Sequence, residues 1–377
     1  MSKRKLILSV LINGVLLSSL YVAGAVDVAP GSGNGVAIGT GSNAPKAENV
    51  AIGKGATIEY SGGVGQPSTG DIVIGGKAHI NNYIDQGGGI AIGANSFVEN
   101  MVGGMERAFD FNQAGYKNLF GIPFGLPKNP EKMVTGMAIG QNTYARSGSI
   151  MLGTHNYKGK LGDVDVDSSN TKNNNGHLFS TTIGANSYSN GLFSSIVGAY
   201  SIASSGYPTT TADATKNFGA TITGSLNSIE STSASSQYSG VANSIVGTAN
   251  RTFNSNGSLV FGAGNEITNS VTSISAPSSG GNSAKELSEK LRSAVKNSNG
   301  GGSTMAFGSG NKADYTLRSA LMGVNNTLTG SQGKESKNTM LTGFHNTADK
   351  VSNTTVIGSE NTVTNSKNSL VMGDNRE

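Results

Sequence analysis

The chain has 377 residues, 55 of them glycine, with 13% charged residues and neither cysteine nor tryptophan. Such a composition cannot fill one broad aliphatic core, points to a ladder of small repeated cores, and excludes disulfides and cysteine nucleophiles. The formal charge of +4 falls to +1 when Lys3, Arg4 and Lys5 of the leader are set aside, 24 bases against 23 acids, so no basic surface for nucleic acid is expected.

Residues 1–25 read as a secretory signal, with a basic start, an apolar stretch over 6–22 and Ala23-Gly24-Ala25 as the cleavage site. Asn13, Gly14, Ser18 and Ser19 interrupt the apolar run, which argues against an uncleaved membrane helix. Residues 26–377 form the predicted mature unit, and no later stretch is apolar for long enough to span a membrane as a helix.

From Val36-Ala37-Ile38-Gly39 onward one unit recurs sixteen times. Its closing glycines are Gly39, Gly53, Gly75, Gly93, Gly140, Gly153, Gly184, Gly198, Gly224, Gly247, Gly262, Gly308, Gly323, Gly343, Gly358 and Gly373. Seven of the fifteen gaps are 13 to 15 residues, and a short period interrupted by insertions predicts a solenoid of stacked coils. The residue before the glycine is apolar in all copies but Thr223 and Thr342, and the residue two before it in all but Thr182. These neighbours point to opposite faces, so each strand is covered on both. The glycine supplies a conformation that residues with a Cβ avoid, and the asparagine three places later in eight copies (such as Asn250, Asn311 and Asn361) reads as turn chemistry. An apolar residue returns five places after the glycine, as at Ile58, Ile80, Val98, Ile229 and Leu328, and starts a second strand.

Two strands and two turns make a thin coil, and sixteen coils about 4.8 Å apart make a rod about 75 Å long. One face of the first strand fills the interior. The face carrying Ala37, Ala51, Ala91 and Ala138, then Ile196, Ile245, Leu321 and Val371, is expected to point outward and to need cover from another chain, because an apolar stripe of that length marks an interface. The pattern therefore predicts a homo-oligomer.

Insertions break the period. The first, 100–135, gathers Phe109, Phe111, Tyr116, Phe120 and Phe124 with Pro123, Pro127 and Pro130. We read these aromatics first as a mini-core folding the loop onto the rod, with ligand contact as the alternative. The second, 157–180, holds Asp163-Val164-Asp165-Val166-Asp167, but a calcium loop would need glycine at Ser168 and glutamate at Asn174, so it reads as a solvated acidic loop. Residues 201–240 are rich in serine and threonine and read as looser coils. In the third insertion, 268–303, Ser283 and Glu286 form a capping box, Glu286 pairs with Lys290, and Leu287, Leu291 and Val295 line one face of a short helix expected to dock on the rod. The last five repeats, from Met305, are the most regular.

No catalytic, metal or cofactor constellation accompanies the repeats. His79, His155, His177 and His345 stand at unrelated spacings, and Gly262-Ala263-Gly264 and Gly308-Ser309-Gly310 follow strands without opening helices. Acids are sparse and lie mostly in loops, which disfavours a carboxylate pair. No enzyme is expected.

The segments Val36-Ala37-Ile38-Gly39-Thr40-Gly41-Ser42, Ile90-Ala91-Ile92-Gly93-Ala94-Asn95-Ser96 and Asn368-Ser369-Leu370-Val371-Met372-Gly373 closely resemble the head repeat of trimeric autotransporter adhesins, the YadA-like family. In repeat form the resemblance covers most of 36–375. It implies an all-β, left-handed parallel β-roll, homotrimeric, displayed at the bacterial outer membrane and cell surface and attaching to host extracellular matrix, cell-surface receptors or abiotic surfaces, a virulence role. The family's neck, heptad stalk and β-barrel anchor have no counterpart among these residues, so the expectation is either a truncated member of the family or a head that is secreted or held by a partner. A left-handed β-helix acyltransferase would show a hexapeptide period instead. An ice-binding or structural solenoid would show stacked Thr-x-Thr, and Thr221-Ile222-Thr223 reads as isolated.

Overall fold

A computed structural model describes residues 29–61, 70–82, 88–100, 135–156, 178–189, 191–204, 216–231, 239–278 and 284–377. Ala23 and Ala25 of the expected cleavage site and the capping Ser283 lie outside them.

The chain coils into a parallel β-solenoid. Its main sheet has sixteen strands, from Val36–Ile38 to Leu370–Met372, and every repeat glycine either closes one of these strands or lies within it. The second strands of the coils form two further sheets, six strands from Ser32–Gly33 to Tyr144–Arg146 and nine from Tyr188–Ser189 to Thr362–Thr364. A short third side, Thr316–Leu317 against Ser336–Lys337, squares off the C-terminal coils. Among the described residues there is one helix, α1 (Ala284–Asn297).

Pairing is parallel and in repeat register, so glycine stacks on glycine: Gly247 on Gly262, Gly308 on Gly323, Gly343 on Gly358. Their backbone requires this residue twice over. Gly343 has φ +125°, and a Cβ there would stand 1.9 Å from the carbonyl oxygen of Gly358. The register survives insertion, since Met137 pairs with Ile90 although the whole first insertion separates them in sequence.

Two residues after each repeat glycine the chain turns through the left-handed region. The position is held by residues as different as Lys77 (φ 57°), Tyr200 (53°), Leu226 (60°) and Glu360 (57°). The asparagines three places after the glycine are therefore not the left-handed turn residues, as the sequence suggested. They are buried. The side-chain amides of Asn250, Asn265, Asn311, Asn326, Asn346 and Asn361 each donate to the Oδ1 of the preceding coil's asparagine at 2.9–3.1 Å and to the next coil's glycine carbonyl at 2.7–2.9 Å. The result is a continuous amide ladder inside the first turn, with both functions of every side chain used.

The core is a single file of side chains. The residue two before each glycine meets the centre of the second strand: Ala51, Val73, Ala91 and Ala138 with Ile58, Ile80 and Val98 in one cluster, and Ile196, Ile245, Leu321 and Val356 with Ile229, Ile267 and Leu328 in the next. This corrects the sequence reading of the faces. Ala51, Ala91, Ala138, Ile196, Ile245 and Leu321 are fully buried within their own coils, Ala37 and Val371 at the two ends pack against the same clusters, and it is the other face of the strand that looks outward. Thr182 stands in register between Met151 and Ile196, where the two clusters part.

Helix α1 docks as expected. Leu287, Leu291 and Val295 pack with Leu178, Leu192, Phe218, Val241 and Ile274 in a third cluster beyond the coil corner, and Glu286 meets Lys290 at 3.3 Å on the solvent side.

Candidate interaction surface

The outward face of the sixteen-stranded sheet is built from the residues one and three before each glycine. Because side chains alternate along a strand, these two positions share a face, and the in-register stack turns them into two columns running along the rod. Val36 and Ile38 open them, followed by Val50 and Ile52, Ile72 and Ile74, Ile90 and Ile92, Met137 and Ile139, then Ile150 and Leu152. In the middle coils the earlier column becomes polar, with Thr181, Ser195, Thr221 and Ser244, whereas the later one runs through Ile183, Val197 and Val246 with Thr223 as its one break there. Toward the C-terminal coils the columns carry Phe261, Phe307, Met305, Met322, Met340 and Ile357, and the rings of Phe261 and Phe307 stack with centroids 6.5 Å apart.

These side chains are solvent-facing in the single chain. Phe261 is 55% exposed, Val36 49%, Val197 42% and Met322 39%. Val324 and Phe344, one place after their glycines, extend the patch sideways. Two apolar stretches, six coils before Thr181 and another from Phe261 onward, joined by Ile183, Val197 and Val246 and broken at Thr221 and Thr223, far exceed the scattered exposed hydrophobics that any soluble surface carries.

The second sheet is the opposite in character. Arg251 bridges two coils, with Nη1 donating to Glu266 at 2.8 Å and Nε to Glu230 at 3.1 Å, and these hydrogen bonds, Glu230 first, raise its pKa further. Further along stand Thr327 and Thr329, Thr347 and Asp349, then Thr362 and Thr364. Thr221-Ile222-Thr223 stays isolated on the main sheet, between Ser195-Ile196-Val197 and Ser244-Ile245-Val246, but the sequence reading missed these threonines of the other sheet. The array is short, however, and broken in the middle by Asp349, whose carboxylate takes a hydrogen bond from Lys350 at 2.9 Å that holds it below the usual aspartate range.

The repeat glycines Gly39, Gly53, Gly93, Gly140, Gly153, Gly198, Gly262, Gly308, Gly323, Gly358 and Gly373 all take the structural role assigned to them, at φ between +115° and +150°. Phe109, Phe111, Tyr116, Phe120 and Phe124 lie outside the described residues, as do Asp163, Asp165, Asp167 and His177. His155 and His345 occupy left-handed turn positions, and His79 heads a second strand with its ring against Phe97. Among the described residues no group of three or more metal-ligating side chains comes together.

What this arrangement can do is bind along its length. A flat, in-register apolar face recognises another flat apolar face, and a second copy of the same repeat supplies one with the same spacing. Sequence reasoning expected an outward apolar stripe but assigned it to the wrong column. Residue size was the available signal, since the alanines at Ala51, Ala91 and Ala138 suit a narrow interior and the isoleucines beside them do not. Against protein-family models and curated proteins the chain finds no match.

Proposed function

We propose that this chain is a non-catalytic adhesive rod that works as a self-assembled head. Copies of the chain, three in the arrangement implied by the resemblance to trimeric autotransporter heads, cover the two apolar columns of the main sheet. The polar second sheet and the coil corners then form the outer surface and meet the target, which the resemblance gives as host matrix, cell surfaces or abiotic surfaces. Export and display on the bacterial surface belong to the same reading.

The observation that carries it is the contrast between two faces, one mainly apolar from Val36 to Met372 with a polar break at Thr221 and Thr223, and the other studded with Arg251, Glu266, Asp349 and threonines. The first test is the solution mass of residues 26–377 by light scattering, with circular dichroism on the same sample. A folded β-rich species at three times the chain mass is expected, and a folded monomer overturns self-assembly. Attachment is read separately, as retention of the purified rod on matrix-coated, cell-coated and bare plastic surfaces; no retention on any of them overturns adhesion.

A further inference from the structure

Where three neighbouring second strands end, after Phe253, Thr268 and Asp314, the corner residues Asn254, Asn269 and Tyr315 all turn through the left-handed region (φ 47°, 51° and 50°). Their backbones stack, with the Asn269 N–H on the carbonyl of Phe253 and the Tyr315 N–H on that of Thr268. One coil further on, residues 331–335 form a tight turn closed by paired hydrogen bonds between Ser331 and Lys334. That turn is tied to the tyrosine corner by the Gly330 N–H on the Asp314 carbonyl and the Ser336 N–H on the Tyr315 carbonyl. Between the corner column and the turn lies a cavity of about 350 Å³ lined by Ser239, Asn254, Asn269, Val271, Tyr315, Gln332 and Glu335. This is within the roughly 300–1,000 Å³ of small-ligand sites.

We propose that this cavity is a carbohydrate subsite for a neutral pyranose. The lining supplies the kinds of group such a ring takes: the aromatic ring of Tyr315 for its C–H side, and amide, hydroxyl and carboxylate groups for its hydroxyls. The walls are already set. Asp314 takes a hydrogen bond from Asn269 Nδ2 at 2.9 Å, which orients that amide with its Oδ1 left as an acceptor. One oxygen of Glu335 is fixed by the Gly333 N–H at 2.8 Å, leaving the other for a ligand hydroxyl. Among the described lining residues there is no lysine or arginine, and Glu335 is the one charged group. Phosphates, sulfated sugars and sialic acid are therefore repelled, whereas neutral sugars are accepted. The site lies at the far ends of second-sheet strands, away from the apolar columns proposed as the interface.

Saturation-transfer NMR on the folded chain with the methyl glycosides of galactose, glucose and N-acetylglucosamine, each alongside its free reducing sugar, tests this. Transfer to at least one neutral ring is expected, with dissociation constants of order 1 mM. Glycosides that match the reducing sugars mark a glycan terminus as the source, and binding of reducing sugars alone marks free sugar; either supports the subsite. Tyr315→Asn, which removes the ring but suits the left-handed backbone, should weaken binding at least tenfold with an unchanged circular dichroism spectrum. Glu335→Gln should admit the methyl glycoside of N-acetylneuraminic acid, which the parent chain refuses. No transfer to any of the neutral sugars at about 20 mM overturns the proposal, as does undiminished binding in Tyr315→Asn or parent-chain binding of the sialoside equal to that of the neutral sugars.

Discussion

Asn346 donates its side-chain amide to Oδ1 of Asn326 at 2.9 Å, and the same nitrogen reaches the carbonyl of Gly358 at 2.8 Å on the next coil. Its own Oδ1 accepts both the N–H and the Nδ2 of Asn361. One buried side chain thus completes the hydrogen bonding of three successive coils. Asn346→Ala leaves the Gly358 carbonyl and two donors of Asn361 without these partners, and we expect a loss of about 3 kcal/mol, read as a lower denaturation midpoint. A midpoint within error of the parent would show that the ladder adds nothing.

Leu226 carries the opposite kind of strain. It is 58% exposed at φ 60°, a conformation that costs a branched side chain about 1 kcal/mol and glycine nothing. Leu226→Gly should therefore leave the fold at least as stable as the parent despite glycine's greater freedom in the unfolded chain. Gly343→Ala, meeting both a positive φ and the Gly358 carbonyl, should cost several kcal/mol.

Thr182 is the one polar residue in its column of the interior, and its hydroxyl is buried without a hydrogen-bond partner. Thr182→Val keeps the shape, removes the orphaned group, and joins the apolar clusters that end at Met151 and begin at Ile196. A gain of about 1–2 kcal/mol in chemical denaturation is expected.

Charge on the main sheet should undo assembly without unfolding the coil. Met322→Glu combined with Ile357→Glu is expected to bring the solution mass down to that of one chain with its β spectrum retained. The matching pair on the polar sheet, Thr329→Glu with Thr364→Glu, should leave the mass unchanged. Equal masses for the two pairs would remove the apolar columns from the interface.

His79 gives the rod a pH dependence of known sign. Burial lowers its pKa below 6.5, more than Glu59 and then Glu99 raise it, and its ring lies 5.1 Å from that of Phe97. Well above pH 6.5 the imidazole is neutral whether the chain is folded or not, so the full stability is present. As pH falls from 6.5 toward the lower folded value, the unfolded chain takes the proton first and stability is lost. His79→Gln should flatten this part of the profile; an unchanged slope would assign the dependence to other groups.

Much of this architecture was legible because glycine is hard to counterfeit. A position that needs a φ near +125° and a carbonyl within reach of any Cβ admits no other residue, so all sixteen strands could be counted from Gly39 to Gly373. The direction of the strand faces was not legible by alternation, since Ala51 and Ile52 are both apolar and period two alone does not say which looks inward. Asn346 was visible as a repeated residue but not as a ladder, because its partners are one coil away. The cavity was not legible for another reason: Asn254, Asn269 and Tyr315 hold one repeat position, seven after Gly247, Gly262 and Gly308, but that position shows no common residue type, and the turn at 331–335 that closes the cavity lies outside the repeat pattern.

Gly93 and Gly140 lie far apart in sequence with the whole first insertion between them, yet a Cβ on Gly93 would strike Gly140 just as one on Gly343 would strike Gly358. The scaffold measures distance in coils and is indifferent to how much chain runs between them. Segments entering at the corners can thus differ in length while the ladder beneath them closes unchanged, and only one that packs back on the coils, as α1 does, is tied to the residues beneath it. A rod of this kind can vary what it displays at the pace of loop evolution and keep its frame at the pace of glycine.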